Sequence, residues 1–445
     1  MKFFNKRKTE RSQPVAEADA EAEPPLPPPI DVWQESEDFQ TLYCVREPWA
    51  WVMSYLKHSK MEELEKPADL PTNVAAAKAA GVEPAAYTPK TRRRRQHQHK
   101  QKVISTLKIE ICSRSRDEVI LAVHGNSSAL DGLEDKDELV RTMQRCRCED
   151  KHLSPPSTLI NWDVTHEECL NVVGDKMPVL EENHDKDIFV VLKEPMGSQG
   201  DGIFFVKTAE EIHEIISAHR QRAQEEENFL DKLIEEKNRI PSWVLQAEVT
   251  PSLLIRGNRK FHIRTYVLII EHLEWTDLLE TFVYNRHEVR VAGVPVPQGE
   301  QGRDRTVHIT NGALSNGTER LLLDEVDELK DMGLKEKVEL FVATTFGRDL
   351  VKDIAGRIRV TADDSNPNVR KFVVAGLDLM VTESGRIYLL EVNVNPAAPK
   401  ESTLSDKFKD HLIGFMRDLT WMVTGVDSPN FLLVNDIMDQ HGIEH

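Results

Sequence analysis

Residues 373–393 read VVAGLDLMVTESGRIYLLEVN, two apolar runs rich in β-branched residues on either side of a Ser-Gly pair. This pattern predicts a β-hairpin with a two-residue turn. With that turn, Asp378 lies directly opposite Glu391, and side-chain alternation places Asn393 on the same face as Glu391. Opposed carboxylates repel each other, and hard divalent cations prefer oxygen ligands. We interpret these three residues as a Mg²⁺ site; the alternative is a solvated face carrying ordinary acidic residues.

The composition is that of a soluble globular protein with several domains. The chain has 445 residues, of which 40% are hydrophobic and 30% are charged. Its apolar runs are too short to cross a bilayer, and no apolar stretch follows the basic N-terminus, so we expect neither a membrane segment nor secretion. Five cysteines without zinc spacing fit a reducing compartment. The net charge of −18 argues against nucleic-acid binding.

The N-terminal part has the composition of a disordered or linker arm. It ends in a basic run at residues 90–102, KTRRRRQHQHKQK. We interpret this run as a contact for an acidic surface; the alternative is a solvated or nuclear-address tract. The expected organisation is an arm at 1–102, an N-terminal subdomain at 103–175, a central one at 176–250, a C-terminal one at 251–425 and a tail at 426–445.

From residue 103 onward, strand and helix patterns alternate, as is typical of an α+β chain. Besides the hairpin above, the predicted strands are 103–112, 119–123, 187–193, 203–207, 243–249, 261–271 and 279–284. The predicted helices are 136–145, 208–237, as one long helix or a broken pair, and 407–423.

A glycine-rich loop at 194–202, EPMGSQGDG, follows Lys193. Glycines let backbone N–H groups approach phosphate oxygens closely. The loop lies between two predicted strands, so it fits neither a Walker A loop nor a dinucleotide fingerprint, both of which open a helix. We interpret it as a hairpin over a nucleotide, with Lys193 reaching the phosphates; the alternative is a plain turn.

Three potential cations, Lys260, His262 and Arg264, alternate along one strand and therefore share a face. They repel each other unless they face an anion, for which a triphosphate or a substrate carboxylate is suitable. The alternative is an exposed strand face. Further on, residues 303–312, RDRTVHITNG, are interpreted as a strand that ends in small polar residues and positions a substrate.

The order of these motifs, from about residue 103 to about 425, resembles that of the tubulin tyrosine ligase-like family. The matching motifs are Lys193 with Ser198-x-Gly200-x-Gly202, Gln246, Lys260-x-x-x-Arg264, His308-x-Thr310-Asn311, Asp378 and Glu391-x-Asn393. That family has the ATP-grasp fold, in which two mixed α/β subdomains hold the nucleotide between them. The resemblance implies that ATP phosphorylates a protein carboxylate and that an amine then attacks the acyl phosphate to form an amide.

The resemblance also implies a role for each matching residue. Phosphates would be held by Lys193 and Lys260 under the loop of Ser198, Gly200 and Gly202, and the adenine pocket would be lined by Gln246 and Val249. The catalytic residues would be Arg264 and Arg290, which would face the acyl phosphate and the incoming amino acid. The substrate and phosphate end would be bound by Thr310 and Asn311, and Mg²⁺ by Asp378, Glu391 and Asn393. Lys136 matches a further lysine of the family loosely.

The implied acceptor is tubulin or another acidic protein, and the donor is a free amino acid: tyrosine, glutamate or glycine. The implied location is the cytoplasm, in association with the cytoskeleton or a cilium, without nucleic-acid or membrane partners. His262 replaces a usual Asp, and Ala247 replaces a Lys that usually follows the glutamine. These departures support an alternative function, that of an inactive ATP-grasp protein that binds tubulin.

Overall fold

The computed structural model describes the chain in segments. They are residues 41–45, 52, 107–113, 118–124, 131–145, 153–176, 190–195, 197, 200–225, 239–271, 279–297, 303–310, 317–350, 369–394, 396, 398–399, 404–424 and 427–443. Ser198, Asn311 and the basic run at 90–102 lie outside them. The predicted α+β architecture is confirmed, and within the described segments no helix is both long and apolar enough to span a bilayer.

Strands and helices are numbered in chain order. The strands are β1 (Thr41–Val45), β2 (Leu107–Ser113), β3 (Glu118–His124), β4 (Ser157–Ile160), β5 (Val190–Lys193), β6 (Ile203–Val206), β7 (Trp243–Ala247), β8 (Phe261–Glu271), β9 (Leu279–Tyr284), β10 (Glu288–Val291), β11 (Glu319–Leu322), β12 (Val369–Val381), β13 (Ile387–Val394) and β14 (Phe431–Leu433). The helices are α1 (Asp131–Glu134), α2 (Lys136–Arg145), α3 (His166–Lys176), α4 (Ala209–Glu225), α5 (Arg305–His308), α6 (Asp327–Lys330), α7 (Leu334–Phe341), α8 (Asp406–Thr424) and α9 (Val434–Gln440).

The larger sheet is organised around its two longest strands, β8 and β12. These pair antiparallel, with Arg264 opposite Asp378. The other edge of β12 pairs first with β3, in parallel, and then with β13, antiparallel. The other edge of β8 pairs with β10 near its start and with β9 near its end. The polar positions of β8, β10, β12 and β13 therefore lie side by side on one face.

The hairpin of β12 and β13 has the predicted carboxylate pair but not the predicted turn. Asp378 does lie opposite Glu391. The loop, however, has three residues, because Thr382 pairs with Arg386 and Gly385 takes a positive φ of 80°. A bulge then places one extra residue of β13, Leu390, between the paired positions, since Leu379 faces Leu389 while Asp378 faces Glu391. The longer loop and the bulge cancel each other.

The smaller sheet has the strand order β4-β7-β5-β6 and carries the glycine loop between β5 and β6. Lys193 pairs with Ile203 across this hairpin, as the sequence predicts. Helix α3, which the pattern analysis did not predict, begins with a capping box: Glu168 N donates to Thr165 Oγ1 at 3.2 Å, and Thr165 N donates to Glu168 Oε2 at 2.7 Å. Helices α3 and α4 cover the apolar face of this sheet around Trp243.

Apolar side chains pack on both faces of the larger sheet. One cluster joins alternate residues of β8 and β12, including Ile263 and Leu377, to α7 and α9. The other joins the opposite residues, including Leu268 and Val374, to α8. The part of the second face that α8 leaves uncovered carries the polar residues of the site.

Two segments differ from the prediction. Residues 305–308 form a helical turn, α5, rather than a strand, because Asp304 caps it by accepting a hydrogen bond from Thr306 N at 2.9 Å. The segment described as a tail contains β14, which pairs with β9, and α9, which packs into the core.

Candidate active site

A small cavity lies between the smaller sheet and the hairpin of β12 and β13. Its lining is largely apolar with a few polar groups. Lining residues are Lys136, Leu139, Val140, Met143, Ser154, Lys193, Val244, Gln246, Leu389 and Leu390. The structure thus brings Lys193, Gln246 and Lys136 together at one cavity. Val249 is buried but does not line this cavity.

Lys193 is a buried cation at the mouth of the carboxylate hairpin. Its side chain is 9% exposed. Burial lowers the pKa of Lys193 to about 8, against the opposing influence of the Glu391 carboxylate, and Lys136 lowers the pKa further. The Asp378 carboxylate also acts on it. A ligand anion next to Lys193 would stabilise the charged form of its ammonium group, which burial disfavours.

Two cationic side chains hold the backbone of the glycine loop. The Lys136 ammonium donates to the Gly197 carbonyl, and Arg305 Nη2 donates to the Gly200 carbonyl at 2.6 Å. The loop closes on itself through Glu194 N, which donates to the Gly202 carbonyl at 2.7 Å. Both cations thus contact carbonyls of the loop rather than the backbone N–H groups with which such loops bind anions.

Gly202 can only be glycine in this loop. Its φ is +71°, and a Cβ there would lie 2.7 Å from the Cβ of Glu194. Glu194 is itself held by His219 of α4, with 3.1 Å between Oε1 and Nδ1.

Asp378 is the most constrained carboxylate of the site. Arg264 binds both of its oxygens, with 2.8 Å between Nη2 and Oδ2. Burial alone would raise the pKa of Asp378, but Arg264 and His262 hold it well below its usual range. Asn393 Nδ2 donates to Asp378 Oδ2 at 3.3 Å and to Glu391 Oε1 at 3.1 Å. Arg264 and Asn393 thus offset part of the repulsion between the two carboxylates within the chain, and the Mg²⁺ site stays a prediction.

The same three residues nevertheless suit Mg²⁺ by their chemistry. The described residues include no group of three or more His, Cys, Asp and Glu side chains arranged around a metal position. Mg²⁺ usually takes only one or two carboxylates from a protein and completes its octahedron with water and substrate phosphates. No cation of the described segments is within ion-pair distance of Glu391, so this carboxylate keeps ligand capacity. Asp378, Glu391 and Asn393 thus fit the ion, with Glu391 as its strongest ligand.

The cations of β8 face protein carboxylates rather than open space. Lys260 is 2% exposed, and its ammonium contacts Glu248 and, at 2.9 Å, His308 Nδ1. Burial lowers the pKa of Lys260 and raises that of Glu248. His262 contacts the Thr310 hydroxyl and lies 3.4 Å from Asp378 Oδ1. The row is therefore not the exposed strand face of the alternative, and Glu248 and Asp378 supply anions for it within the chain. Binding of a triphosphate or a substrate carboxylate by this row stays a prediction.

Arg290, the second predicted catalytic arginine, is bound to its neighbour on β10. Its Nη2 donates to Glu288 Oε2 at 2.9 Å, and Nε makes a longer contact of 3.3 Å. Burial would raise the pKa of Glu288, but Arg290 and His411 lower it far below its usual value. Tyr266 donates a further hydrogen bond to the same carboxylate, at 2.7 Å. Glu288, which the sequence interpretation missed, therefore fixes the position of Arg290.

The sequence matches the family described as "Tubulin-tyrosine ligase family" over residues 132–416, more than half of the chain. A Saccharomyces cerevisiae protein named "Probable tubulin--tyrosine ligase PBY1" is 24% identical over 245 residues, which cover 48% of this chain and 31% of the relative. Tubulin glycylase 3C of Tetrahymena thermophila is 23% identical, covering 40% of this chain and 17% of the relative.

Tubulin polyglutamylase ttll-5 of Caenorhabditis elegans is 24% identical, covering 37% of this chain and 24% of the relative. The match thus covers less than a third of the length of each of these three relatives. The match over residues 132–416 includes every described site residue, from Lys136 to Asn393. The chain belongs to the tubulin-tyrosine ligase family, within the ATP-grasp superfamily.

Proposed function

We propose that this chain is an ATP- and Mg²⁺-dependent ligase that joins a free amino acid to a protein carboxylate through an acyl phosphate. Tubulin is the proposed acceptor, and the cytoplasm, on the cytoskeleton or at a cilium, is the proposed location. The names of the relatives support tubulin as the target class and leave tyrosine, glutamate and glycine open as the added residue.

One observation carries the proposal: a largely apolar cavity with Lys193 and Gln246 opens beside the oxygen ligands of the carboxylate hairpin. Its lining combines the apolar and polar side chains of a nucleotide site, and the oxygen ligands suit the metal that accompanies the phosphates. A protein that only bound tubulin would have no need for a buried lysine and two converging carboxylates next to an apolar cavity.

The reaction requires positioning and charge neutralisation more than covalent chemistry from the protein. An acceptor carboxylate oxygen bonds to the γ-phosphorus as the bond to ADP breaks. The amine then bonds to the acyl carbon, and phosphate and a proton leave. Lys193 would neutralise phosphate charge, the glycine loop would exclude water, and Arg264 would hold Asp378 in place. Mg²⁺, when bound, would neutralise charge on the transferred phosphoryl group.

The decisive experiment incubates the protein with Mg·ATP, tubulin and each of the three labelled amino acids. The variant is Glu391→Gln, which replaces a charged ligand by a neutral amide and keeps its shape. The matched control is Glu383→Gln, the same change at an exposed position of the same hairpin. We expect wild type and control to label tubulin with one amino acid, and Glu391→Gln to lose at least about 100-fold in rate.

Thermal unfolding distinguishes loss of the ligand site from loss of the fold. Without ligand, Glu391→Gln should unfold at or slightly above the wild-type temperature, because it relieves repulsion with Asp378. With saturating Mg·ATP, wild type should gain stability by mass action and the variant much less. A wild type without any such gain would reject the enzyme and favour the inactive tubulin-binding protein. A gain without ligation of any amino acid to tubulin would retain the nucleotide site and reject the acceptor.

A further inference from the structure

A row of three basic side chains crosses the sheet beside the carboxylate hairpin. In the register of β8, β10 and β11, His262 lies opposite Arg290, and Arg290 lies opposite Arg320. Residues that are directly opposed in antiparallel strands point to the same face. Arg320 therefore extends the polar face of the site to the edge strand β11. Like charges directly opposed on a sheet destabilise it unless an anion lies between or beside them.

The neighbouring cations each form an ion pair within the described segments, but Arg320 does not. Asp378 binds Arg264, Glu288 binds Arg290, and Glu248 binds Lys260. These carboxylates are thus already paired, and Glu288 acts on Arg320 only from beyond ion-pair distance.

The carboxylate nearest to Arg320 in sequence is also taken. Glu319 points to the other face and binds Arg259, with 2.5 Å between Oε1 and Nη2. Throughout the described segments, no carboxylate forms an ion pair with the half-buried Arg320. Burial lowers the pKa of Arg320, and Arg290 lowers it further, while Glu288 acts in the opposite direction. The guanidinium stays charged at neutral pH. One partly desolvated positive charge with up to five N–H donors thus remains on this face.

We propose that Arg320, beside Arg290, binds the α-carboxylate of the incoming amino acid; this inference rests on the proposed ligase function. The planar fork of an arginine matches a carboxylate in two hydrogen bonds. One cation without an ion pair in the described segments matches the single negative charge that every candidate amino acid carries at its α-carboxylate. Arg290 contributes less, because Glu288 already occupies its Nε and Nη2.

The spacing of the strands suits this arrangement. Three strand separations lie between β11 and β12, which is about 14 Å from backbone to backbone. An arginine side chain, the amino acid and the Asp378 side chain together span such a distance. The amine of the bound amino acid, one carbon away from the anchored carboxylate, would then point toward the carboxylate hairpin, where the acyl phosphate forms. The reacting acceptor carboxylate must lie at that hairpin, so it is not the anion that Arg320 holds.

The test compares an amino acid with its α-amide, which lacks only the α-carboxylate. The probe is the amino acid that wild type ligates, chosen from tyrosine, glutamate and glycine, with tyrosinamide, isoglutamine or glycinamide as its partner. We expect Arg320→Gln to raise KM for the amino acid by about 10- to 100-fold, as expected for a lost charge-assisted hydrogen bond. KM for ATP and for tubulin should not change. The preference of wild type for the acid over the amide should fall by the same factor.

Two further variants control for charge and for the substitution itself. Arg320→Lys keeps the charge and loses the fork, so it should give an intermediate KM. Arg222→Gln makes the same change at an exposed position of α4 and should leave every constant unchanged. Without ligand, Arg320→Gln should unfold at or above the wild-type temperature, because Arg290 loses a like-charged neighbour. A purely structural arginine would lower it.

Each outcome decides the inference separately from the proposed function. Normal ligation by Arg320→Gln with an unchanged KM and acid preference overturns the inference and leaves the ligase intact. A rise confined to KM for tubulin also overturns it, since the anion then belongs to the acceptor. If wild type ligates no amino acid, the proposed function fails. Equilibrium binding of labelled glutamate, tyrosine and glycine in the presence of a non-hydrolysable ATP analogue then decides the inference. Binding that Arg320→Gln loses supports it, and an absence of binding overturns it.

Discussion

Replacing Lys193 by Met should stabilise the protein in the absence of nucleotide. In the folded protein the pKa of Lys193 is about 8 instead of the ordinary 10.5. Keeping the ammonium charged at pH 7 therefore lowers the free energy of unfolding by about 3 kcal/mol. Met keeps most of the volume of the side chain and carries no charge. We therefore expect the free energy of unfolding of Lys193→Met at pH 7 to exceed that of wild type by up to about 3 kcal/mol, measured by urea unfolding in magnesium-free buffer.

The pH dependence gives this prediction its sign and its window. The folded wild type releases the Lys193 proton near pH 8, whereas the unfolded chain keeps it until about 10.5. Between these values the unfolded state binds more protons, so the stability of wild type rises with pH. The advantage of Lys193→Met should therefore shrink from about 3 kcal/mol at pH 7 to about 1.5 kcal/mol at pH 9.5. Lys337→Met, exposed on α7, is the matched control and should follow wild type at every pH.

Nucleotide should reverse the order of stability. Wild type should gain about 2.7 kcal/mol at a Mg·ATP concentration 100 times its Kd, while Lys193→Met should gain far less at the same concentration. A variant that is less stable than wild type at pH 7 would refute the assigned cost of burial. An advantage that stays constant from pH 7 to 9.5 would refute its assignment to the Lys193 proton.

Two other changes test the supports of the site. Asp378→Asn should lower the free energy of unfolding by about 3–5 kcal/mol, because it leaves the buried Arg264 without its anion. A loss below about 1 kcal/mol in urea unfolding would contradict a stabilising role for this ion pair. Gly202→Ala should raise KM for ATP at least about 10-fold, because the new Cβ would displace Glu194 and the loop. Gly257→Ala is the control: Gly257 has a similar positive φ but no atom within 4 Å of the new Cβ, so KM for ATP should not change.

The strongly patterned elements could be predicted from the sequence. The bounds predicted for α2, β8 and β9 agree with the structure, because long amphipathic or continuously apolar runs decide both type and length. Helix α5 could not be found by periodicity, since its β-branched residues favour a strand and a single cap at Asp304 decides against it. The capping box of α3 is visible in the sequence as Thr165 and Glu168, but two residues are too few to show the period of a helix.

Some ion pairs of the site join residues close together in the sequence, and others join residues far apart. Glu288 and Arg290 are two residues apart, and their pairing follows from alternation once β10 is recognised as a strand. The partner of Lys260 could not be read from any period, because Glu248 reaches it only through the chain reversal between β7 and β8. The partner of Arg264 is Asp378, which lies on a strand far along the chain and meets it only through sheet pairing. The basic residues could therefore be picked out from the sequence, but the protein carboxylates that pair with Lys260 and Arg264 could not, because folding alone brings them together.

The bulge at Leu390 has a consequence for how this hairpin can vary. Buried positions on β13 are Ile387 and Leu389 before the bulge and Val392 and Val394 after it, so the bulge moves Glu391 from the core-facing set to the polar face. Straightening the bulge without deleting Leu390 would shift β13 by one position against β12 and turn the Glu391 carboxylate toward the core. Deleting Leu390 would instead remove the bulge and keep Glu391 opposite Asp378 on the polar face, and a change in loop length between Thr382 and Arg386 would leave the strand pairs as they are. Among functional relatives, a strand without the bulge should therefore also lack the extra residue, whereas the length of the loop can vary independently.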